Sequence, residues 1–187
     1  VYDKGHTDKT TVTIETKSGI KTLELKLGDD GKVALVSVEM GQAVIGEPVI
    51  ASASCGYFYD EVTQSFGPSK RDHDEFPLLP VDMGNPHAVI FCNNAEKVDI
   101  EKVGPALERC GEFPEGVNVE FVQVLGKNEL RMRVWERGSG VTMACGTGSC
   151  ASVSAAIWAH KCTRNSDVTV HLDGGDLLVS IDLDNNV

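Results

Sequence analysis

The sequence predicts an α+β fold in which a curved antiparallel β-sheet or barrel wraps a buried central helix. Three observations carry this prediction. Apolar and polar residues alternate in short segments bounded by Gly- and Asp-rich turns, as in half-buried antiparallel strands. From Thr147 onward, the stretch Ala144 to Cys162 reads as a helix that is small or apolar nearly all round. A helix lacking a polar face is a buried helix, and small side chains let the surrounding backbone approach it closely.

The first forty residues supply a three-strand meander. Val12 and Ile14 alternate with Thr11, Thr13 and Glu15. After Ser18-Gly19, the segment Ile20 to Leu27 places Leu23, Leu25 and Leu27 on one face. The turn Gly28-Asp29-Asp30-Gly31 leads into Lys32 to Met40, where Val36, Val38 and Met40 alternate. Residues 41 to 80 then read as a domain crossover with an exposed excursion of short strands, and the run Arg71 to Glu75 as a solvated loop. Ala88 to Phe91 is a short apolar strand. Ile100, Val103 and Leu107 stand at helical spacing and predict a surface helix over Asp99 to Cys110. Val117 to Leu125 and Glu129 to Trp135 predict a hairpin around Gly126-Lys127-Asn128. Val168 to Leu172 and Leu177 to Leu183 predict another around Asp173-Gly174-Gly175-Asp176. The expected organisation is residues 1–41 as one unit and 42–187 as a second, with a central helix at about 147–162.

Composition narrows the function classes. The 187 residues carry 17 Lys and Arg against 28 Asp and Glu, a formal net charge of −11. That balance argues against a nucleic-acid backbone or an anionic membrane surface as partner, because both require a concentrated basic face. No apolar run reaches the length of a membrane span, and no signal-peptide pattern opens the chain. A soluble, cytoplasmic protein is expected. Hydrophobic residues make up 41% of the chain, enough to build a core without disulfides. The six cysteines include no CxxC pair, so reduced, mostly buried thiols are expected rather than a structural zinc site.

The chemistry concentrates where the central helix begins. Cys145 precedes a Gly146-Thr147-Gly148 turn. Free N–H groups at a helix start can hold a carboxylate, and the positive end of the helix dipole favours a thiolate. The glycines allow a ligand to reach the backbone. The same text is also compatible with a tight helix entry around a buried thiol. Met83-Gly84-Asn85-Pro86-His87 joins a turn to a strand, and Pro86 restricts Asn85 to extended backbone. Trp135-Glu136-Arg137-Gly138 ends a strand, where Glu136 and Arg137 could equally be a surface ion pair. Taken together, an amide, a carboxylate, a guanidinium and a thiol at element ends suit a zwitterionic amino acid. There is no P-loop, no dinucleotide fingerprint, no Ser-His-Asp order and no lysine in a pyridoxal context.

At these residues the sequence resembles the diaminopimelate epimerase family. The matching stretches are Asp82-Met83-Gly84-Asn85-Pro86-His87-Ala88-Val89, Phe113-Pro114-Glu115-Gly116-Val117-Asn118-Val119, Glu136-Arg137-Gly138 and Ala144-Cys145-Gly146-Thr147-Gly148-Ser149-Cys150-Ala151. Val1-Tyr2-Asp3-Lys4-Gly5 also resembles the stretch that follows the family's first catalytic motif. The resemblance implies two pseudo-symmetric halves, each a curved antiparallel sheet around a central helix, and a site in the cleft between them. It implies an isomerase of lysine biosynthesis that needs no cofactor and no pyridoxal phosphate. Two cysteines, one per half, would work on opposite faces of the substrate α-carbon and interconvert LL- and meso-diaminopimelate. By this resemblance Cys145 is one of the pair. Gly146 and Thr147 present N–H groups to the α-carboxylate, and Asn85, Asn118 and Arg137 read the distal end of the substrate. Glu136 contacts the amino end or tunes a thiol, and His87 helps set the protonation of the cysteines. The expected partner is the small-molecule substrate, and a homodimer is compatible with the family.

The sequence departs from the family pattern where Val141 replaces a common acidic residue. No second cysteine lies in a Gly-rich context, and no closing strand follows Val187. The expectation is therefore a fragment: the end of the N-terminal half (residues 1–41) plus most of the C-terminal half, inactive by itself. A proline or hydroxyproline racemase of the same mechanism, a non-catalytic binding module of the same fold and a β-rich domain with no site are the alternatives.

Overall fold

A computed structural model describes residues 1–16 and 19–187. Ser18, placed at the first expected turn, lies outside the described residues. The chain divides into two compact units, Val1–Gly41 and Gln42–Val187. The first opens with a 3-10 turn at Tyr2–Lys4 and continues as β1 (Thr11–Thr16), β2 (Gly19–Leu27) and β3 (Val33–Val38). These form an antiparallel sheet in that order, with Val12 opposite Leu23 and Leu25 opposite Val36. Gly31 takes φ +74°, and its N–H donates to the Gly28 carbonyl at 3.0 Å, closing the β2–β3 turn.

The second unit contains β4 (Val44–Ile45), β5 (Val49–Ala53), β6 (Tyr57–Asp60), β7 (Ser65–Pro68), β8 (Asp74–Asp82) and β9 (Pro86–Phe91). Helix α1 (Ile100–Glu108) precedes β10 (Asn118–Gly126), β11 (Glu129–Glu136) and β12 (Gly140–Val141). Helix α2 (Gly146–Trp158) is followed by β13 (Val168–Leu172) and β14 (Gly175–Val179). The main sheet runs β14-β13-β11-β10-β9-β8-β4, an open path, with β12 added to β11 and β5 to β8. It is mixed rather than wholly antiparallel, because β9–β10 and β11–β13 pair in parallel. Those two crossovers are the ones occupied by α1 and α2, as parallel neighbours require.

Strand alternation gives the sheet two buried faces. Ala88, Ile90, Val119, Phe121 and Trp135 meet Ile100, Val103 and Leu107 of α1 in one core. A Cβ at Gly104 would fall 2.5 Å from the Trp135 ring, so glycine lets α1 lie on the indole. The alternate residues face α2: Ser152 Oγ lies 3.1 Å from Met132 Sδ, and Gly148 abuts the Glu120 carboxylate. The hydroxyls of this buried helix return to its own backbone. Ser149, Ser152 and Ser154 donate to the carbonyls of Cys145, Gly148 and Cys150 at 2.9, 2.7 and 2.8 Å.

Three local differences from the sequence reading have physical causes. Helix α2 ends at Trp158, not at 162, because His160 turns left-handed (φ +57°) and the Lys161 N–H caps the Ala156 carbonyl at 2.7 Å. The charge run at 71–75 is not wholly solvated. Asp74 begins β8, is 3% exposed and meets Arg71 at 3.3 Å. The last hairpin turns more tightly, with Leu172 opposite Gly175.

Candidate active site around Cys145

Cys145 is the N-cap of α2, and its Sγ accepts the Gly148 N–H at 3.3 Å. That position usually goes to Ser, Thr, Asp or Asn, whose oxygens are better acceptors. A thiol there is a weaker cap. The side chain is 8% exposed. Its Sγ also lies 3.6 Å from Thr147 Oγ1. Burial pushes the thiol up from its ordinary value; Thr147 and the Gly148 N–H pull it down, and the charges of Glu120 and Glu136 push it up again. The helix start alone would favour the thiolate, but desolvation and two nearby carboxylates outweigh it, so the net direction is toward the thiol. The thiols of Cys92 and Cys110, pushed up to about 12 and about 11, are raised mainly by burial.

The turn before β9 delivers the next two residues. Gly84 takes φ +89°, its N–H meets Asp82 Oδ1 at 2.8 Å, and the Met83 N–H meets the Asn85 carbonyl at 3.2 Å. Asn85 Nδ2 then donates to Thr147 Oγ1 at 3.5 Å, tying this turn to the start of α2. Two residues on, His87 is fully buried and its Nδ1 lies 2.6 Å from Glu120 Oε1. Glu120 is equally buried. Burial raises its carboxyl, His87 opposes that rise, and Glu136 adds to it. Glu120 was not singled out from sequence. The signal available was a lone charge inside the apolar run Val117 to Val122.

Asn118 holds two strands together. Its Nδ2 donates to the Pro86 carbonyl at 3.0 Å, and its Oδ1 accepts the Arg137 N–H at 2.9 Å. The Arg137 guanidinium is on the exposed side and donates to the carbonyls of Glu115 and Gly116 at 3.2 and 3.3 Å. Glu136 accepts the Thr142 hydroxyl. Glu136 and Arg137 therefore go to different partners and do not form the surface ion pair that their adjacency allowed. From the opposite face, Glu108 of α1 accepts Trp135 Nε1–H at 2.6 Å and the Gly138 N–H at 3.2 Å, fixing the strand end that carries both residues.

The structure thus links Asn85, Thr147 and Cys145 by direct contacts, and His87 with Glu120. The Glu120 carboxylate and the Cys145 thiol meet at Gly148, where a Cβ would stand 2.9 Å from Glu120 Oε1 and 3.2 Å from Cys145 Sγ. Asn118 and Arg137 pair directly, through the Arg137 backbone N–H. Among the described residues, no cluster of three His, Cys, Asp or Glu side chains could hold a metal ion. What the cluster offers is proton chemistry: a thiol, an imidazole and two carboxylates beside a helix start.

Solved structures share this fold. Among solved structures, a hydroxyproline epimerase from Agrobacterium vitis matches 96% of this chain and 53% of its own, with a TM-score of 0.62 and 14% identity. A protein from Pseudomonas aeruginosa, described as a predicted epimerase, matches 99% of this chain and 64% of its own, with a TM-score of 0.65 and 16% identity. At those identities the likeness is one of fold.

The diaminopimelate epimerase family profile matches residues 79–187, and the chain belongs to that family. Diaminopimelate epimerase from Phocaeicola vulgatus is 48% identical over 177 residues, 95% of this chain and 60% of that protein. The enzyme of that name from Bacillus cereus is 40% identical over 189 residues, all of this chain and 63% of its own length. The chain thus spans less than two thirds of the curated relatives it matches.

Proposed function

We propose that this chain carries one side of the acid–base machinery of a cofactor-independent epimerase that interconverts LL- and meso-diaminopimelate in lysine biosynthesis. The observation that carries the reading is the Cys145 thiol, held as the N-cap of α2 beside Thr147, Glu120 and Glu136. A thiol held protonated can give a proton to one face of a planar α-carbon, and in the reverse direction its thiolate takes that proton back. The N–H groups of Gly146 and Thr147 stand free at the first turn, where a substrate α-carboxylate gains charge as the proton leaves. Asn85, Asn118 and Arg137 select a substrate with a second amino-acid end. Glu136 faces the amino group or the thiol. His87 helps set the protonation of the cysteine pair, whose second member a complete site requires for inversion. The chain alone therefore has little or no epimerase activity. The cytoplasm suits a protein whose chemistry needs a reduced thiol. Membership of the family, at 40–48% identity to diaminopimelate epimerases, favours this substrate over an imino acid.

The test joins this chain to the segment of the Phocaeicola vulgatus relative that it does not cover. The joined protein is then assayed with LL-diaminopimelate and with proline. Epimerisation of diaminopimelate alone is expected. A folded joined protein that turns over proline, or neither compound, would overturn the assignment.

A further inference from the structure

We infer that Glu120 is a positioning residue that holds His87 with its proton on Nδ1, leaving Nε2 bare as the site's proton acceptor. The inference rests on the acid–base reading above and deepens it. Both side chains are 0% exposed, and Nδ1 meets Glu120 Oε1 at 2.6 Å, a short, charge-assisted distance. Among the described residues His87 Nε2 and Glu120 Oε2 have no hydrogen-bond partner.

Those two vacant atoms decide where the shared proton sits. If Glu120 kept it, Oε1–H would donate to Nδ1 and the neutral imidazole would carry its own hydrogen on Nε2. A buried N–H donor would then be orphaned, which native proteins rarely tolerate. An imidazolium would orphan the same donor. With the proton on Nδ1, no buried donor is left without an acceptor: Nδ1–H meets Oε1, and both vacant atoms are acceptors only. The pair then carries one negative charge. Two strand-register facts fix the geometry. His87 lies opposite Asn118 in the parallel β9–β10 ladder, and Glu120 is two residues further along on the same face. The first turn of α2 closes over the carboxylate at Gly148. A bare Nε2 can accept a proton and hand it back without Glu120 touching the substrate, in the way a buried carboxylate orients a catalytic imidazole through its far nitrogen.

The tautomer can be read directly in this chain without substrate. His6, His73, His160 and His171 are on or near the surface, and His87 alone is fully buried. A chain with those four replaced by glutamine and labelled with nitrogen-15 histidine leaves one imidazole to observe. The expected spectrum shows a protonated Nδ1 and an unprotonated Nε2. Glu120→Met should lose that exclusive tautomer and show protonated Nε2. A protonated Nε2 in the chain that retains Glu120, or an unchanged tautomer in a folded Glu120→Met chain, would overturn the proposal. If the methionine variant does not fold, the spectrum of the chain with Glu120 intact still decides. Failure here leaves the epimerase reading standing, since no substrate is involved. Failure of the joined protein to epimerise leaves the tautomer result standing.

Discussion

Replacing Glu108 with alanine should destabilise the second unit by about 2–4 kcal/mol, because it strands a half-buried indole N–H and removes a buried side chain. The Glu108 carboxylate, 7% exposed, accepts both Trp135 Nε1–H at 2.6 Å and the Gly138 N–H at 3.2 Å. Hydrogen bonds to a charged acceptor are each worth about 1.5–3 kcal/mol, and the Gly138 donor recovers part of its loss by turning to water. For a chain of this length that range corresponds to roughly 5–12 °C in melting temperature. Glutamine at 108 should fall in between, at about 1 kcal/mol, since its amide oxygen can keep the indole while its NH2 group faces the Gly138 donor. Thermal melts followed by tryptophan fluorescence measure this, with the exposed Glu101→Ala on the same helix as control. An alanine variant that melts within the roughly 0.5 kcal/mol typical of surface changes would refute the reasoning. The same loss should loosen the turn that carries Glu136 and Arg137, so in the joined protein substrate binding should weaken along with stability.

Alkylation of Cys145 by iodoacetamide, followed by peptide mass spectrometry across pH, should show a midpoint above the ordinary thiol value of 9.0, and Glu136→Gln should move it down because a like charge is removed. Gly104→Ala should cost stability even though alanine is the better helix former: its methyl would stand 2.5 Å from the Trp135 ring, and about 1–3 kcal/mol of overpacking exceeds about 1 kcal/mol of propensity. His171 sits between Asp176 Oδ1 at 2.8 Å and Glu129 Oε1 at 3.0 Å, which raises its pKa above 6.5. Because the folded value is the higher one, its contribution is complete below the unfolded value and fades as pH rises through the folded value. Urea melts should therefore show a small loss of stability as pH rises past the ordinary value of 6.5 that His171→Gln abolishes, and an identical pH slope in that variant would contradict the assignment.

Much of the fold was legible because its signals are local. The meander at the start, the β10–β11 hairpin and the all-round apolar character of α2 each follow from period and turn chemistry within a few residues. The parallel β9–β10 and β11–β13 pairings were not legible, since each depends on a helix carrying the chain between distant strands. β8 was hidden by Pro77 and Pro80, which the sheet accommodates by switching the strand's partner from β5 to β9 near Leu79. In the site, Cys145 stood out because a thiol before a Gly-rich helix entry is chemically conspicuous. Its raised thiol was not foreseeable, because the burial that raises it, and the carboxylates of β10 and the end of β11 that add to the rise, come from tertiary packing. Glu120 escaped notice because one acidic residue in a strand says nothing of its partner until β9 is laid beside β10.

The most direct test of the central claim follows solvent deuterium into the α-carbon of diaminopimelate. The joined protein is incubated with LL- and meso-diaminopimelate in deuterated water, beside its Cys145→Ser variant. The account predicts that deuterium replaces the α-proton in step with inversion, and that both are lost when the thiol is replaced. Exchange and inversion at undiminished rates in Cys145→Ser would contradict it.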